Sequence, residues 1–505
     1  MDESEQKAHT PTKVPSLIQN WISLLGIILA ACSFFAVACL ITIDFYAGFS
    51  NPYMGILTYL IAPSFLSAGL LLILAGVLLE RRRRRKLAPG EIPRHPRIDF
   101  NVPRQRNAFV IVLVVTFVFL MFTALGSYRT YEFTESVQFC GQTCHTVMKP
   151  EYTAYKNSTH ARVACVQCHI GPGAAWFVKS KMSGSYQVYA TLVNNYPHPI
   201  PTPVKNLRPA EETCEQCHWP QKFFGSVEKV NQHYMADETN TPWMVRMLIK
   251  VGGGDPSHGP VGGIHWHMNI ANKIEYVATD EARQQIPWIR LTDHNGKVTV
   301  YQATENAIPA AKLASFTPRR MDCIDCHNRP SHIYKDPDSL ADLALSTGRI
   351  DPSLPFAKKS VVETLATPYQ DTDAALIAIS GSITKAFATS TNHPAVLQAI
   401  AETQRIYTNN FFPEMKVSWR AYPNNIGHTI SPGCYRCHDG KHKSDDGKII
   451  TRDCNACHTI IGQGQGTQLA SISPQGLEFQ HPSDIGDTWK DMSCTDCHNG
   501  ALVGQ

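Results

Sequence analysis

The sequence predicts three transmembrane α-helices followed by an exported module that is mostly α-helical and irregular, with a small β insertion. Three apolar runs, at 21–43, 54–79 and 108–128, are each long enough to cross a bilayer. The rest of the 505 residues has ordinary polarity and repeats a signature of two cysteines and a histidine seven times. Alternating polar and apolar residues, as at 297–301, indicate a few strands.

The charge around the apolar runs predicts how the chain crosses the membrane. The loop between the second and third runs is strongly basic, with Arg81 to Arg85, Lys86, Arg94, Arg97, Arg104 and Arg106. By the positive-inside rule this loop is cytoplasmic. The N-terminus is then also cytoplasmic, and the chain after Tyr128 lies on the periplasmic side of a bacterial inner membrane. A cleavable signal peptide ending near Ala38 is the competing interpretation, but the first run is too long for one and a second span follows.

Each of the seven signatures places two thiols and a histidine close together in the exported part. Six have the spacing Cys-x-x-Cys-His, and the first, Cys140-x-x-x-Cys144-His145, is one residue longer. The six are Cys165/Cys168/His169, Cys214/Cys217/His218, Cys323/Cys326/His327, Cys434/Cys437/His438, Cys454/Cys457/His458 and Cys494/Cys497/His498. In such a signature the thiols attach a haem covalently and the histidine ligates its iron. A single copy could be a zinc half-site or a redox dithiol, but seven copies with the trailing histidine favour seven haem c groups.

The remaining composition is consistent with this interpretation. Fourteen of the sixteen cysteines belong to signatures, and Cys32 and Cys39 lie in the first apolar run, where they are expected to pack as small apolar residues. Outside residues 1–107 the chain has 34 basic and 35 acidic residues. Haem propionates add further negative charge, so the formal net charge of +4 does not indicate nucleic-acid binding.

The spacing of the signatures predicts the domain organisation. Residues 1–107 hold a cytoplasmic tail, two helices and the basic loop, and 108–332 hold the anchor helix and a four-haem module with an insertion at 219–322. Residues 333–427 are a helical spacer, with helices expected at 373–388 and 394–405, and 428–505 form a three-haem module. Because the signatures lie so close together, the porphyrins must supply much of the buried apolar surface of this haem-packed multihaem cytochrome c module.

Haems that transfer electrons need a second strong axial ligand to the iron, and a second histidine is the simplest choice. The best candidates for these distal ligands lie beside signatures: His160, His332, His428, His442 and His481. At least one of His265 and His267, expected on one face of a strand, should also ligate. His198, His233 and His258 are weaker candidates, and His294 and His393 are expected to be bystanders.

A set of motifs between residues 108 and 332 resembles one known family. An apolar anchor leads straight to FCGQTCHTVM, which is followed by EYTAYKNSTH, by CVQCH with a lysine-bearing helix, by CEQCH and by CIDCHNRPSH. Together these motifs resemble the NapC/NirT quinol dehydrogenases, membrane-anchored cytochromes that take electrons from quinol. The whole chain resembles the larger seven-haem inner-membrane cytochromes of metal-reducing bacteria.

The resemblance implies further iron ligands. In the family a methionine shortly after the first signature ligates the first haem, and Met148 is the matching residue. Because this signature is one residue longer than usual, both Met148 and His145 remain candidates. His160 matches the family's distal histidine in its Ser-x-His segment.

The resemblance also implies a quinol site on the helix after the second haem. Lys181, or less closely Lys179, matches the family's lysine, and Gln187 stands where an acidic residue is expected. A glutamine can hydrogen-bond a quinol hydroxyl but cannot take its proton. The proton acceptor would therefore be another residue.

These observations predict an inner-membrane quinol dehydrogenase. It would oxidise quinol or menaquinol from the membrane pool and pass electrons through seven haems to a periplasmic c-type cytochrome in anaerobic respiration. One alternative is an electron-transfer subunit of a larger respiratory complex, and another is a multihaem terminal reductase. The reductase is disfavoured because no signature is of the Cys-x-x-Cys-Lys type and spare histidines are plentiful.

Overall fold

The computed structural model describes residues 16–47, 62–87, 100–143, 145–204, 207–253, 262–268, 272–466, 469 and 471–502. Contacts divide the chain into two units, Met1–Glu135 and Ser136–Gln505. The predicted domain boundaries at 107, 332 and 427 stay predictions.

The first unit contains three helices that are long and apolar enough to span a membrane: α1 (Trp21–Ala47), α2 (Ala62–Arg84) and α3 (Pro103–Glu135). The three predicted spans are therefore confirmed as helices. The described part of α2 begins later than the predicted start at residue 54, since 48–61 lie outside the described residues, and it continues into the arginine run. Helix α3 extends beyond the apolar run at both ends.

Small residues let α1 and α2 approach closely. A Cβ on Gly69 would lie 2.7 Å from the backbone nitrogen of Ala30, and a Cβ on Gly26 would lie 2.7 Å from the carbonyl oxygen of Gly69. Ser23 Oγ also donates to the carbonyl oxygen of Ile73 at 3.2 Å. Transmembrane helices commonly pack through such small residues, because no side chain then separates the backbones.

The helices of the second unit fall into single turns and longer segments. They are α4 (His145–Lys156), α5 (Cys165–His169), α6 (Ala174–Leu192), α7 (Ala210–Cys214), α8 (Ala310–Leu313), α9 (Cys323–Cys326), α10 (Pro337–Ser346), α11 (Ala357–Ala366), α12 (Thr372–Ala386), α13 (His393–Asn410) and α14 (Thr488–Asp491). A π-helical turn covers Phe139–Thr143, and 3₁₀ turns cover Pro220–Lys222, Ile264–Met268, Pro413–Met415, Gly433–Arg436, Cys454–Ala456 and Cys494–Asp496. The signatures therefore lie mostly on single turns.

Nine strands form two antiparallel sheets. They are β1 (Ser226–Tyr234), β2 (Pro242–Lys250), β3 (Lys273–Val277), β4 (Trp288–Thr292), β5 (Val298–Ala303), β6 (Arg319–Arg320), β7 (His442–Ser444), β8 (His458–Gln465) and β9 (Ser471–Ile472). The orders are β1-β2-β8-β9 and β6-β3-β4-β5-β7. Strand β5 confirms the strand expected at 297–301. Since β7, β8 and β9 come from the C-terminal three-haem segment, this segment completes both sheets of the insertion.

Helices α10 to α13 form the helical spacer around a core of apolar side chains. Helices α12 and α13 confirm the two predicted helices, with ends shifted by a few residues. Asp371 caps α12 by accepting from the backbone of Ala374 at 2.8 Å, and Asn392 caps α13 in the same way. Such caps satisfy backbone donors that the first turn of a helix leaves unpaired.

A buried lysine joins the spacer to the first sheet. Lys358 is 1% exposed and pairs with Asp342 and, at 2.9 Å, with Asp338. Asp342 also accepts from the backbone of Tyr234 at 2.9 Å and lies 3.1 Å from Nδ1 of His233. Because the buried ammonium has carboxylate partners, its burial is compensated, and the same carboxylate holds β1 against α10.

Candidate haem-binding sites

Each standard signature folds as one tight turn that brings its two thiols and its histidine together. The backbone N–H groups of His218, His327 and His498 each donate, at 2.8 Å, to the carbonyl oxygen of the first cysteine in the same signature. His438 makes the same bond at 3.0 Å. This turn is the local geometry that covalent haem attachment requires.

Three of the predicted haem-attachment cysteines, Cys217, Cys326 and Cys497, are exposed. The other signature cysteines in the described part of the chain are half-buried. Each of the three exposed cysteines is the second cysteine of its signature. Exposure leaves a thiol accessible to a porphyrin, and the haem-attachment role of these three cysteines stays a prediction.

Acidic residues inside the signatures stabilise some of these turns. Asp325, in the signature Cys323–His327, accepts from the backbone of Asp322 at 2.8 Å and so caps its own turn. The buried carboxylate also accepts from Tyr276 Oη at 2.7 Å and from Arg319 Nε at 3.0 Å. The turn is therefore fixed to the second sheet. The sequence gives no signal for this role of Asp325, because Tyr276 and Arg319 lie on other elements.

The structure brings each of the six standard signature histidines to a second histidine from elsewhere in the chain. The ring centres of each pair lie 5.7–6.4 Å apart, and the angles between the two ring planes range from 4° to 85°. The pairs are His169/His332, His218/His160, His327/His265, His438/His267, His458/His428 and His498/His481.

This spacing fits one iron between the two rings of each pair. Two metal–nitrogen bonds of about 2 Å, plus the distance from each nitrogen to its ring centre, give about 6 Å. Rings in direct contact lie closer in the same molecule, as His428 and Tyr435 do at 4.2 Å. The residues of these six sites therefore fit a haem with two axial histidines, joined through the two signature thiols.

Hydrogen bonds orient several of these imidazoles. The Nδ1 atoms of four histidines donate to backbone carbonyl oxygens at 2.7–3.3 Å, which leaves Nε2 free for a metal. The donors and acceptors are His160 and Pro330, His265 and Val251, His267 and Ile264, and His438 and Thr451. Both His265 and His267 pair with a signature histidine, and they lie on a 3₁₀ turn where a strand was expected.

Burial favours the neutral form of two of the paired imidazoles, His169 and His428, and the neutral imidazole is the form that binds iron. Burial lowers the pKa of His169, and the neighbouring His332 lowers it further. Burial, together with the neighbouring His458, lowers the pKa of His428 to about 4. These groups are thus unprotonated at neutral pH.

His442 departs from the prediction that it is an iron ligand. Its Nδ1 lies 2.8 Å from Asp439 Oδ1 and its Nε2 lies 2.7 Å from the carbonyl oxygen of Ile286. Burial lowers the pKa of His442, but these two hydrogen bonds outweigh it, so that the pKa is raised. Both ring nitrogens have protein partners, and His442, which lies on β7 of the second sheet, instead joins this strand to the chain just before β4.

The weaker candidates lie outside the six pairs. His198 packs its ring against Tyr196 with the centres 4.7 Å apart, and His233 lies against Asp342. His294 and His393, the expected bystanders, are exposed. His258 lies outside the described residues.

Neighbouring signatures lie next to one another in the order of the sequence. A hydrogen bond with Cys140 lowers the pKa of Cys165 to about 7, and burial raises the pKa of Cys437, which lies near Cys326, to about 12. The thiols that influence one another across signatures include Cys140/Cys165, Cys168/Cys214, Cys168/Cys217, Cys214/Cys323, Cys326/Cys434, Cys457/Cys434 and Cys494/Cys454. Each signature is thus linked to the next by neighbouring thiols.

The first signature is described only in part. Cys140 lies on the π-helical turn Phe139–Thr143, whereas Cys144 and the side chain of His145 lie outside the described residues. Met148 is half-buried on α4, one turn after position 145. The choice between Met148 and His145 as the ligand of the first haem stays a prediction.

The two residues predicted for the quinol site lie on α6 but not on one face of it. Lys181 Nζ lies 5.2 Å from the ring centre of Phe177, and Gln187 Nε2 donates to Ser183 Oγ at 3.4 Å. Six residues separate Lys181 and Gln187, so they differ by about 120° around the helix axis. Lys179, the less close match, lies over the ring of Trp176 at 4.7 Å.

A cavity of about 500 Å³ lies beside the first signature. It is lined by Gly141, Gln142, Lys149, Pro150, Tyr152, Thr153, Phe412, Glu414 and Met415. Burial opposes ionisation of Glu414, but a hydrogen bond from Thr372 and the charge of Lys149 outweigh it and lower its pKa. The cavity thus combines an ionised carboxylate with an ammonium group. No sequence pattern indicates this pair, because Glu414 lies near the end of the helical spacer, far from Lys149 in the chain.

Together, the anchor helices, the repeated signature turns and the histidine pairs define a membrane-anchored multihaem c-type cytochrome. Residues 102–200 match the N-terminal region of the NapC/NirT cytochrome c family. The cytochrome c-type protein ImcH of Geobacter sulfurreducens is 44% identical over 503 residues, which cover 97% of each chain. The cytochrome c-type protein TorC of Escherichia coli is 28% identical over 200 residues, which cover 35% of this chain and 45% of TorC. No solved structure matches the chain significantly.

The chain belongs to the NapC/NirT cytochrome c family, in agreement with the resemblance seen in its motifs. The family confirms covalently bound haem c as the cofactor and electron transport as the general role.

Proposed function

We propose that this chain oxidises quinol from the inner membrane, menaquinol being the preferred candidate, and passes the electrons through seven haem c groups to a periplasmic c-type cytochrome during anaerobic respiration. The main support is the set of six histidine pairs. Bound haem c supplies reversible one-electron transfer. The fourteen signature cysteines would hold the haems, and the order of neighbouring thiols supports transfer from the first signature towards the last.

The histidine pairs favour electron transfer over a terminal reductase. A reductase needs an iron position open to its substrate, whereas the six described pairs supply two histidines to each iron. The proposed ligands are the proximal His169, His218, His327, His438, His458 and His498, with the distal His332, His160, His265, His267, His428 and His481. The first site, with Met148 or His145, is the remaining place for a different ligand set.

The proposed topology has the N-terminus in the cytoplasm and the haem-bearing unit in the periplasm. The arginines at the end of α2 support this orientation, because cytoplasmic loops are enriched in Lys and Arg. Covalent haem attachment and the family both agree with an exported haem unit. An alkaline phosphatase reporter fused after Gln505 should be active, and a cytoplasm-only reporter at that position should be silent.

Two groups of residues are candidates for the quinol site near the first haem. Lys181 on α6 is supported by the resemblance, although its predicted partner Gln187 points to another side of the helix. The cavity with Lys149 and Glu414 is supported by its size and by the presence of both a donor and an ionised acceptor, which the two hydroxyls of a quinol require. The first signature begins five residues after α3 ends, so only a short stretch of chain separates it from the last membrane helix.

Anaerobic stopped-flow reduction by a menaquinol analogue tests this proposal. The parent protein, purified in detergent without companion subunits, should be reduced by the quinol. Lys181→Ala should slow this reduction if α6 orients the quinol, and Lys149→Ala or Glu414→Gln should slow it if the cavity does, while reduction by dithionite stays unchanged. Lys312→Ala, at an exposed lysine on α8 that belongs to neither candidate site, is the control.

The outcomes separate the proposals. A parent protein that is reduced by dithionite but not by quinol would contradict quinol oxidation by this chain alone, and it would favour the subunit of a larger complex. Unchanged quinol rates in all three variants would exclude both candidate sites.

A further inference from the structure

The carboxylate of Glu151 contacts a predicted iron ligand. Glu151 lies on α4, and its Oε2 is 3.0 Å from Nδ1 of His332. The backbone oxygen of Glu151 also lies 3.0 Å from the same nitrogen. An imidazole that ligates iron through Nε2 carries its proton on Nδ1, and from there it donates to Glu151.

This contact differs from those of the other oriented histidines. His160, His265, His267 and His438 donate to backbone carbonyl oxygens, which are neutral. A hydrogen bond to an ionised acceptor is roughly twice as strong as one between neutral groups. Such a partner also makes the imidazole a more basic ligand.

A buried arginine holds the carboxylate of Glu151 in place. Arg329 is 7% exposed, and its Nη2 lies 3.1 and 3.2 Å from the two carboxylate oxygens of Glu151. Its Nε donates to the carbonyl oxygen of His332 at 2.8 Å, and its guanidinium lies 4.3 Å from the ring centre of Tyr422. Arg329 thus fixes Glu151 and His332 together, and its positive charge partly balances the carboxylate.

We propose that Glu151 is a positioning residue that lowers the reduction potential at the His169/His332 site, and that Arg329 limits this decrease. A more basic imidazole and a nearby negative charge both favour the ferric over the ferrous state. This inference rests on the proposed function, because it requires His169 and His332 to be iron ligands.

A low potential at this site has a consequence for electron flow. The signature of His169 neighbours the first signature, through Cys165 and Cys140, and the third, through Cys168 and Cys214. An electron that enters from the quinol end would therefore cross this site without remaining on it. The haem at this site would stay mostly oxidised while the haems of the later signatures become reduced.

Two substitutions with opposite expected effects test the proposal. Glu151→Gln keeps the size and a hydrogen-bond acceptor but removes the charge, and Arg329→Gln removes the opposing charge. The reduction potentials are measured by potentiometric titration of the full-length protein. Glu151→Gln should raise the potential of one haem component by at least about 59 mV, which is a tenfold change in the equilibrium constant of a one-electron reduction. Arg329→Gln should lower the potential of the same haem component.

A purely structural role would not shift the two variants in opposite directions. Unchanged potentials, or shifts of the same sign, would overturn the proposal. Glu275→Gln is the matched control, since Glu275 also lies between cations, Arg290 and Lys273, and belongs to a sheet. If the Glu151→Gln variant does not assemble its haems, Glu151→Asp is tested in its place. Its shorter side chain loses the close contact with His332, so the potential should rise. An unshifted potential would contradict the inference.

His332→Ala separates this inference from the ligand assignment. Loss of one low-spin haem signal in this variant, together with unshifted potentials in Glu151→Gln, would leave the ligand pair standing and reject the role of Glu151. An unchanged low-spin spectrum in His332→Ala would reject the ligand pair itself.

Discussion

The helical spacer and the haem-bearing segments of the second unit are built in different ways. In the spacer, helices of 10 to 18 residues bury a continuous core in which Val362, Ile379 and Ile383 are fully inaccessible. The standard signatures lie on turns of three to five residues, and the ring centres of their histidines lie about 6 Å from those of their partner histidines. Helices this short are unstable by themselves. The spacer is therefore held by its own side chains, whereas the signature turns depend on covalently attached haem.

The largest effect should follow from removing one haem attachment in the middle of the second unit. In the double variant Cys434→Ala/Cys437→Ala, the His267/His438 pair would lose its haem, and with it the connection between neighbouring signatures. We expect the protein to lose at least one haem per chain and to become sensitive to protease in the haem-bearing segments. Pyridine haemochrome content against protein mass and limited proteolysis measure this.

Cys39→Ala is the control for this variant, since Cys39 belongs to no signature. Normal haem content and normal protease resistance in the double variant would contradict the dependence of these segments on haem.

A large effect is also expected where the spacer meets the first sheet. Lys358→Ala would leave the buried Asp342 without its cation, which should destabilise the protein by roughly 3–5 kcal/mol. Chemical denaturation followed by far-ultraviolet circular dichroism measures this difference. Lys359→Ala is the adjacent control, because Lys359 is half exposed and its ion pair with Glu363 spans 3.9 Å. Equal stabilities of the two variants would show that the buried pair does not hold the spacer in place.

The spacer core should respond as an ordinary hydrophobic core does. Ile379→Ala removes a fully buried side chain and should cost about 2–5 kcal/mol of unfolding free energy, without loss of haem. Leu397→Ala, at a side chain that is 67% exposed, should cost much less. Loss of haem in the Ile379→Ala variant would indicate that the spacer and the haem-bearing segments do not differ as described.

The smallest of these effects concerns His442. Because protein groups occupy both of its ring nitrogens, His442→Gln should leave the low-spin haem spectrum unchanged and destabilise the protein by about 1–3 kcal/mol. The pKa of His442 is raised in the folded protein, so the stability from its charged form is present at acid pH and is lost as the pH rises through the folded value. The stability difference between parent and variant should therefore shrink as the pH rises. Loss of a low-spin haem signal in this variant would restore His442 as a ligand.

The sequence predicted those features that depend on local patterns. Apolar runs indicated the three membrane helices, and helical periodicity indicated α12 and α13. The spacing of cysteines and histidines identified the signatures and all six histidines that pair with them. Features that depend on distant contacts could not be predicted. The pairing of His267 with His438, the completion of both sheets by β7, β8 and β9, and the contact of Glu151 with His332 all join residues far apart in the chain. The prediction for His442 was wrong for a similar reason. Its position beside a signature suggested an iron ligand, but the sequence does not show that Asp439 and Ile286 bind both of its ring nitrogens.

Each of the six histidine pairs should hold one haem, and the first signature should hold a seventh haem with its own ligands. Near-infrared magnetic circular dichroism of the oxidised protein checks this expectation, because it distinguishes haems by their axial ligands. Together with the haem content per chain, it should give six bis-histidine haems and one further haem at the first signature. Fewer than six bis-histidine haems in a fully loaded protein would contradict the expectation.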